Sequence, residues 1–392
     1  MNSALLRLVI CQGLFLTNNV TFIAINGLVG LQLAPAPWMA TLPLMGYVVG
    51  GAIATPFVAR HQRRWGRRRA FQAGLVAAIA TTLSCAAAVT IGSFALLVAA
   101  TLSAGYYNAN AALYRFAAAD VVAPEAKAKA ISWVLTGGLL GAVFGPNLAT
   151  IGRDLLAIPF VGAYYALAAL ALLSLAIVST IPFPPMEQPD ALRPGRPLRE
   201  IARQSTFVAA VASAALGYGM MNLLMAATPL AMAGCGHPFD RTALVLEVHV
   251  IGMFAPGFFT GALIRRFGTT SVVSVGCGLY ALCIAVALTG VDMPHFVVSL
   301  ALLGVGWNFI YTGATMMLTG TYRPEEKTTA QGAMDFCVYS TMALTSLGAG
   351  ALVTSKGWTW LNVGSLGLLA ALVAALVWQA LRRPAGGMAA RG

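Results

Sequence analysis

Charge is scarce in this sequence: 9% of its 392 residues are Asp, Glu, Lys or Arg, against 59% hydrophobic. A soluble fold of that size needs more polar surface to cover its core, so the chain is read as a membrane protein. Cysteine is sparse too. The six (Cys11, Cys85, Cys235, Cys277, Cys283, Cys337) fall mostly inside apolar runs, where free thiols serve as small hydrophobes, and this argues against a disulfide framework. The chain has no glycine-rich phosphate loop and no Ser/His/Asp grouping in polar surroundings. It is therefore expected to be neither a nucleotide-driven pump nor an enzyme, and to hold no prosthetic group. Of four histidines, only His249 lies well inside an apolar run.

Long apolar runs are what the chain does have. Spanning ~30 Å of hydrocarbon takes roughly 20 residues, and twelve such runs are predicted, at about 4–31, 38–58, 70–92, 94–117, 129–152, 157–181, 206–232, 242–264, 270–290, 294–319, 328–354 and 358–381. The fold class is all-α integral membrane. The first run is too long for a cleavable leader and lacks a small-residue cleavage site, so it is expected to stay in the membrane. The net charge of +12 reflects topology rather than nucleic-acid binding. All 24 Lys and Arg residues fall on one side of these runs except Arg153, Arg241 and Lys356. Such a bias predicts a multi-pass protein of the cell inner membrane with both termini in the cytoplasm.

The longest polar linker, residues 182–205, separates a six-helix bundle at 1–181 from another at 206–392. The two halves repeat. Tyr107-Asn108 falls on Trp307-Asn308 and Pro124-Glu125-Ala126-Lys127 on Pro324-Glu325-Glu326-Lys327 at a shift of 200, and Arg64-Trp65-Gly66 falls on Arg266-Phe267-Gly268 at 202. This plan resembles the major facilitator superfamily. Ala59 to Arg69 looks like that superfamily's signature after the second helix, and Gly261 to Gly268 like its second copy. In both copies arginine (Arg63, Arg265) replaces the usual aspartate. Gly138, Gly141 and Gly145-Pro146 loosely resemble the motif of proton-coupled exporters.

Two stretches carry candidate chemistry. In the seventh run Met221 and Met225 stand four residues apart, as do His249 and Met253 in the eighth, so each helix offers one pair of donors to one side. Counting along the helices predicts Met221 and His249 at similar depth, with Met225 above and Met253 below. Thioethers select Cu(I), and neutral imidazole suits copper as well. The repeat supplies an internal control. Asn18 and Phe22 stand where Met221 and Met225 do, and Tyr47 and Gly51 where His249 and Met253 do, so the donors belong to one half only.

The paired motifs are similar to those of CcoA-like copper importers, in which Met-x-x-x-Met on the seventh helix and His-x-x-x-Met on the eighth are the functional ligands. The resemblance implies Met221, Met225, His249 and Met253 as a transport site, copper as transported substrate for cytochrome oxidase assembly, and handover to cytoplasmic copper carriers. It also implies a single-chain carrier alternating access across the bilayer. Met232, Cys235 and His237 are candidates for an outer capture point. Glu247 and Asp335, carboxylates within spans, are candidates for proton coupling.

The same subgroup includes riboflavin transporters. An isoalloxazine wants aromatic faces and amide groups, and Asn18, Asn19, Tyr106, Tyr107, Asn108, Asn110, Tyr218, Asn222, Trp307, Asn308 and Tyr311 could supply them. The alternative use of these residues is helix-to-helix hydrogen bonding. A drug/proton antiporter and a non-transporting copper sensor are further readings. The first is weakened by the lack of an acid in the first span, the second by the lack of a signalling domain.

Overall fold

The computed structural model describes residues 2–123, 126, 130, 131, 133, 134, 137–184 and 195–382, among which all regular structure is helical. The first span is Ser3–Leu33. The second and third lie in Leu42–Ile91, and the fourth is Phe94–Ala111, continued by Tyr114–Asp120. The fifth is described from Gly138–Arg153 and the sixth is Val161–Ser179. The seventh is Ser205–Gly234; the eighth is Phe239–Phe254 with Gly257–Phe267, bent by 43° at Pro256. The ninth is Thr269–Thr289, the tenth Met293–Thr319, and the last two lie in Lys327–Leu381. Most of the Pro124-Glu125-Ala126-Lys127 repeat lies outside the described residues.

Local chemistry explains where these helices begin and turn. Asn2 Oδ1 accepts from Leu5 N at 2.8 Å and Ser93 Oγ from Leu96 N at 3.3 Å, so both helices start on a side-chain cap. The tight turns after the second and eighth spans fall on Gly66 (φ 77°) and Gly268 (φ 84°), the two positions that the sequence repeat superposes. A side chain is disfavoured at such φ, so the repeat preserves a backbone requirement. Gly357 (φ 82°) makes the corresponding turn between the last two spans.

Glycine also sets how closely helices cross. A Cβ at Gly50 would run into the Leu102 carbonyl and one at Gly105 into the Gly50–Gly51 backbone, locking the second span to the fourth. At the shift of 202, Gly252 stands where Gly50 does, and a Cβ at its neighbour Gly304 would run into the His249 carbonyl. Without a hydrophobic drive between helices in lipid, small residues that admit close approach hold such crossings.

The two halves meet mainly at the end of the molecule away from the termini. There Thr41 Oγ1 accepts from Gly350 N at 3.0 Å, Phe160 packs edge-on against Phe239 at 5.6 Å, and the Arg153 guanidinium lies over both rings. One continuous apolar core joins these portions of both halves. Nearer the termini the first half has a core of its own, built on Leu5, Leu8, Phe71, Leu75 and Tyr114. Among the described residues the cleft between the halves is thus closed at the distal end and opens toward the termini.

The linker is tied to the second half. Arg196 donates to Glu326 Oε1 through its backbone N (3.0 Å) and Nε (2.7 Å), and to Oε2 through Nη2 at 2.8 Å. This guanidinium holds the Glu326 carboxyl well below the usual carboxylate range.

Candidate functional site

An aromatic cluster stands at the centre of the cleft. Trp307 and Tyr311, one turn apart on the tenth span, stack with centroids 5.3 Å apart and planes at 9°, and Tyr218 of the seventh meets both edge-on at 5.3 Å. Phe254 adds an edge to Trp307 at 6.2 Å. Tyr218 and Tyr311 are half-buried, and the Trp307 Nε1–H, though buried, has no acceptor. The first half brings Asn108 up to Tyr339 of the eleventh span. A Cβ at Gly51 would stand 3.4 Å from Asn108 Nδ2 and 3.8 Å from Tyr339 Cε1, so Asn108 and Tyr339 border one point from opposite halves. The half-buried Asn108 side chain makes no hydrogen bond among the described residues.

Below them, toward the open end, Arg115 and Asp335 are exposed on the fourth and eleventh spans. Each is near enough to act electrostatically on Tyr311 and Tyr339. Of these the sequence singles out Asp335; Arg115 counts there only among the basic residues of one side, and Tyr339 is missed. Their signal was available: Asp335 and Tyr339 are four residues apart on one helix face, and Arg115 lies two turns beyond Asn108.

Several other candidates for the organic cavity serve the scaffold instead. Asn18 Nδ2 donates to the Leu167 carbonyl at 3.2 Å, and Asn19 Nδ2 donates to Tyr47 Oη at 2.8 Å. Asn222 Nδ2 faces the eleventh span, donating to the Met342 carbonyl, Thr345 Oγ1 and Ser346 Oγ at 3.1, 3.1 and 2.9 Å. Asn308 is held at both ends, donating to the Met253 carbonyl at 2.8 Å and accepting from Thr260 Oγ1 at 2.6 Å. Tyr107 is buried against Phe15, Tyr106 pairs with His61 away from the cleft, and Asn110 bonds Tyr106 O and Gln62.

His249 is fully buried, and its Nδ1–H donates to the Leu300 carbonyl at 2.8 Å, the tautomer being set because a carbonyl only accepts. Nε2 then carries a lone pair and has no partner. Met221, Met225 and Met253 are buried as well. Their heights follow from contacts with the tenth span. Gly217 stands against Ile310 and His249 against Leu300, about 15 Å further along. Met225, about 12 Å beyond Gly217, is therefore nearer the height of His249 than Met221, about 6 Å beyond it. His249 also meets Gly304, about 9 Å along from Ile310, so both Met221 and Met225 lie within about one helical turn of its height.

The outer candidates differ in their settings. Met232 is fully buried and Cys235 exposed, while His237 donates through Nε2 to the Val291 carbonyl at 2.8 Å and packs edge-on to Phe296. Glu247 is half-buried, and its Oε2 accepts from Asn147 Nδ2 of the other half at 3.2 Å. Among the described residues no group of three or more His, Cys, Asp or Glu is placed to hold a metal ion; any soft-metal site here must rely on thioethers.

Comparison with known proteins follows the same architecture. The chain is 40% identical over 360 residues to the riboflavin transporter RfnT of Brucella anthropi, covering 91% of this chain and 90% of the relative. Its fold matches a bacterial homologue of the iron transporter ferroportin in its inward-facing state, with a TM-score of 0.72 at 13% identity over 97% of this chain and 100% of the other. The outward-facing state of such a homologue matches at 0.66 and 14% identity, again over 97% and 100%. This likeness speaks for the fold alone. The profile of the Major Facilitator Superfamily matches residues 8–245 and 210–390. A multi-pass helical chain with two repeated halves about a central cleft, matched by that profile along nearly its whole length, is a transporter and not an enzyme, and it belongs to the Major Facilitator Superfamily.

Proposed function

We propose that this transporter carries a flavin, riboflavin first among them, inward across the bacterial inner membrane. Both termini then lie in the cytoplasm, and a single chain rocks its two halves about the cleft. One observation carries this reading: half-buried Tyr218 and Tyr311 meet Trp307 in one aromatic cluster, and the first half brings the unengaged amide of Asn108 beside Tyr339. Flat aromatic faces and one amide are what an isoalloxazine needs for stacking and edge recognition. The likeness to a protein named as a riboflavin transporter supports it. If the cycle uses protons, Asp335 is the better placed carboxylate, since it borders the open cleft beside Arg115 while Glu247 is engaged by Asn147.

The unpartnered Nε2 of His249 favours a second reading, in which copper is the cargo. An imidazole whose other nitrogen is fixed by a carbonyl is oriented as a ligand would be, with Met221, Met225 and Met253 as the thioethers within about one helical turn of its height.

Labelled riboflavin and labelled copper, offered side by side to cells lacking their own carriers, test both. Riboflavin uptake should fall at least about tenfold in Tyr311→Ala and persist in His249→Leu. Wild-type riboflavin uptake in Tyr311→Ala would sink the flavin reading. Copper uptake that depends on His249 would make the metal the cargo.

A further inference from the structure

A second concavity lies on the other side of the first half. It is a groove of about 400 Å³ between the second and fourth spans, walled by Ile53, Phe57, Ala99 and Leu102 and ended by His61 and Tyr106. Ser103, also on its lining, bonds Thr81 of the third span at 2.7 Å. On the fourth helix Ala99, Leu102 and Tyr106 point well away from Asn108, so the groove faces lipid and not the cleft. Its floor is the close backbone crossing at Gly50, flanked by exposed Ile53 and Phe57.

The end of the groove nearest the termini is built differently. His61 Nδ1 and Tyr106 Oη are 2.7 Å apart, and the imidazole stacks on exposed Trp65 with centroids 4.0 Å apart and planes at 12°. Arginines surround this plate, and they divide into two groups. Arg67 pairs with Asp120 at 2.7 Å, and Arg68 donates twice to the Ile181 carbonyl. Arg60, Arg63 and Arg64 are exposed and have no carboxylate partner among the described residues. Uncompensated positive charge therefore sits where an apolar trough meets the headgroup level.

We propose that this groove is a binding site for one anionic phospholipid. An acyl chain lies along Ile53, Phe57 and Leu102, and the phosphate sits on Arg60 and Arg64 beside the His61–Trp65 plate. The charge complements an acidic headgroup, and the aromatic plate suits the interface between chain and headgroup. The other half supplies a control. Arg265 and Arg266 repeat Arg63 and Arg64, but Ala262 and Leu263 stand where Arg60 and His61 do. Basic charge alone is thus present in both halves, and the groove with its plate characterises one.

The test is native mass spectrometry of the full-length, delipidated protein titrated with phosphatidylglycerol or with phosphatidylcholine of the same chains. One saturable phosphatidylglycerol should bind with clear preference. Its affinity should fall about fivefold for each arginine removed in Arg60→Gln and Arg64→Gln, and also in the groove-filling Ala99→Phe, which leaves the charge intact. Circular dichroism and gel filtration confirm that each variant is folded, all three sites being exposed. Equal binding of the two lipids would overturn the proposal. So would an equal loss in Arg265→Gln/Arg266→Gln, unaltered affinity in Ala99→Phe, or full competition by soluble glycerol phosphate.

Discussion

The two halves share one backbone plan and differ in how their polar groups are joined. Asn19 and Tyr47 of the first half correspond to Asn222 and His249 of the second at shifts of 203 and 202. In the first half the pair closes on itself, Asn19 donating to Tyr47 across the first and second spans. In the second the bond is gone. Asn222 has turned to the eleventh span, His249 is anchored to Leu300, and its Nε2 has no partner. Asn108 and Asn308 invert the pattern, since Asn108 is unengaged and Asn308 is held at both ends. The folding of each half is secured by glycine crossings and helix-to-helix amides, and what is available for a solute is whatever one half leaves unjoined that the other joins.

The comparison can be broken most severely at the glycine crossings. Gly50→Val should prevent accumulation of folded protein, because its Cβ meets carbonyl backbone that cannot yield, whereas Gly252→Ala, 3.0 Å from the Ala301 carbonyl, should cost about 1–3 kcal/mol. The yield of folded protein in detergent, with thermal denaturation of whatever folds, ranks the two. Similar stability in both variants would show that the second-to-fourth crossing is not the tighter one.

The paired asparagines give the next largest effect and should separate function from stability. Asn108→Ala is expected to raise the KM for riboflavin several-fold with an unchanged melting temperature. Asn308→Ala should lower stability by about 1 kcal/mol through loss of two buried hydrogen bonds. Uptake kinetics and melting curves on both variants check this, and the reverse pattern would refute the division of roles. A smaller effect is expected from Tyr47→Phe, about 0.6 kcal/mol of stability for one interhelical bond, read as a modest fall in melting temperature.

The linker contact should show the least change across ordinary conditions. Glu326 has its carboxyl pKa depressed by Arg196, so its contribution is complete above the ordinary value of 4.5 and is lost only as pH falls through the lower folded-state value. Between pH 5 and 8 the melting temperature difference between wild type and Glu326→Gln should therefore stay constant. A difference that shrinks within that window would mean that the carboxylate titrates normally and the contact is loose.

Much of the architecture was readable in one dimension. Run lengths near twenty residues marked the spans, the arginine bias marked one face, and the superposed Gly66 and Gly268 marked turns that glycine makes easily. The candidate site was readable in kind only. Trp307, Tyr311, Tyr218 and Asn108 were among the residues singled out, but so were Asn18, Asn222, Asn308 and Asn110, whose amides are spent on neighbouring helices. An amide in a span looks the same in sequence whether it faces a solute or a carbonyl.

By itself the sequence determined that the chain crosses a membrane many times, folds as two related six-helix halves and places its basic side chains on one face. Those properties follow from composition, run length and backbone preference, each local to its segment. Only the tertiary structure decided which polar groups are satisfied, that the described halves join at the end away from the termini, and that Asn108 and Tyr339 border one point from opposite halves. Those properties depend on contacts between helices far apart in the chain, set by how closely glycines let the backbones approach.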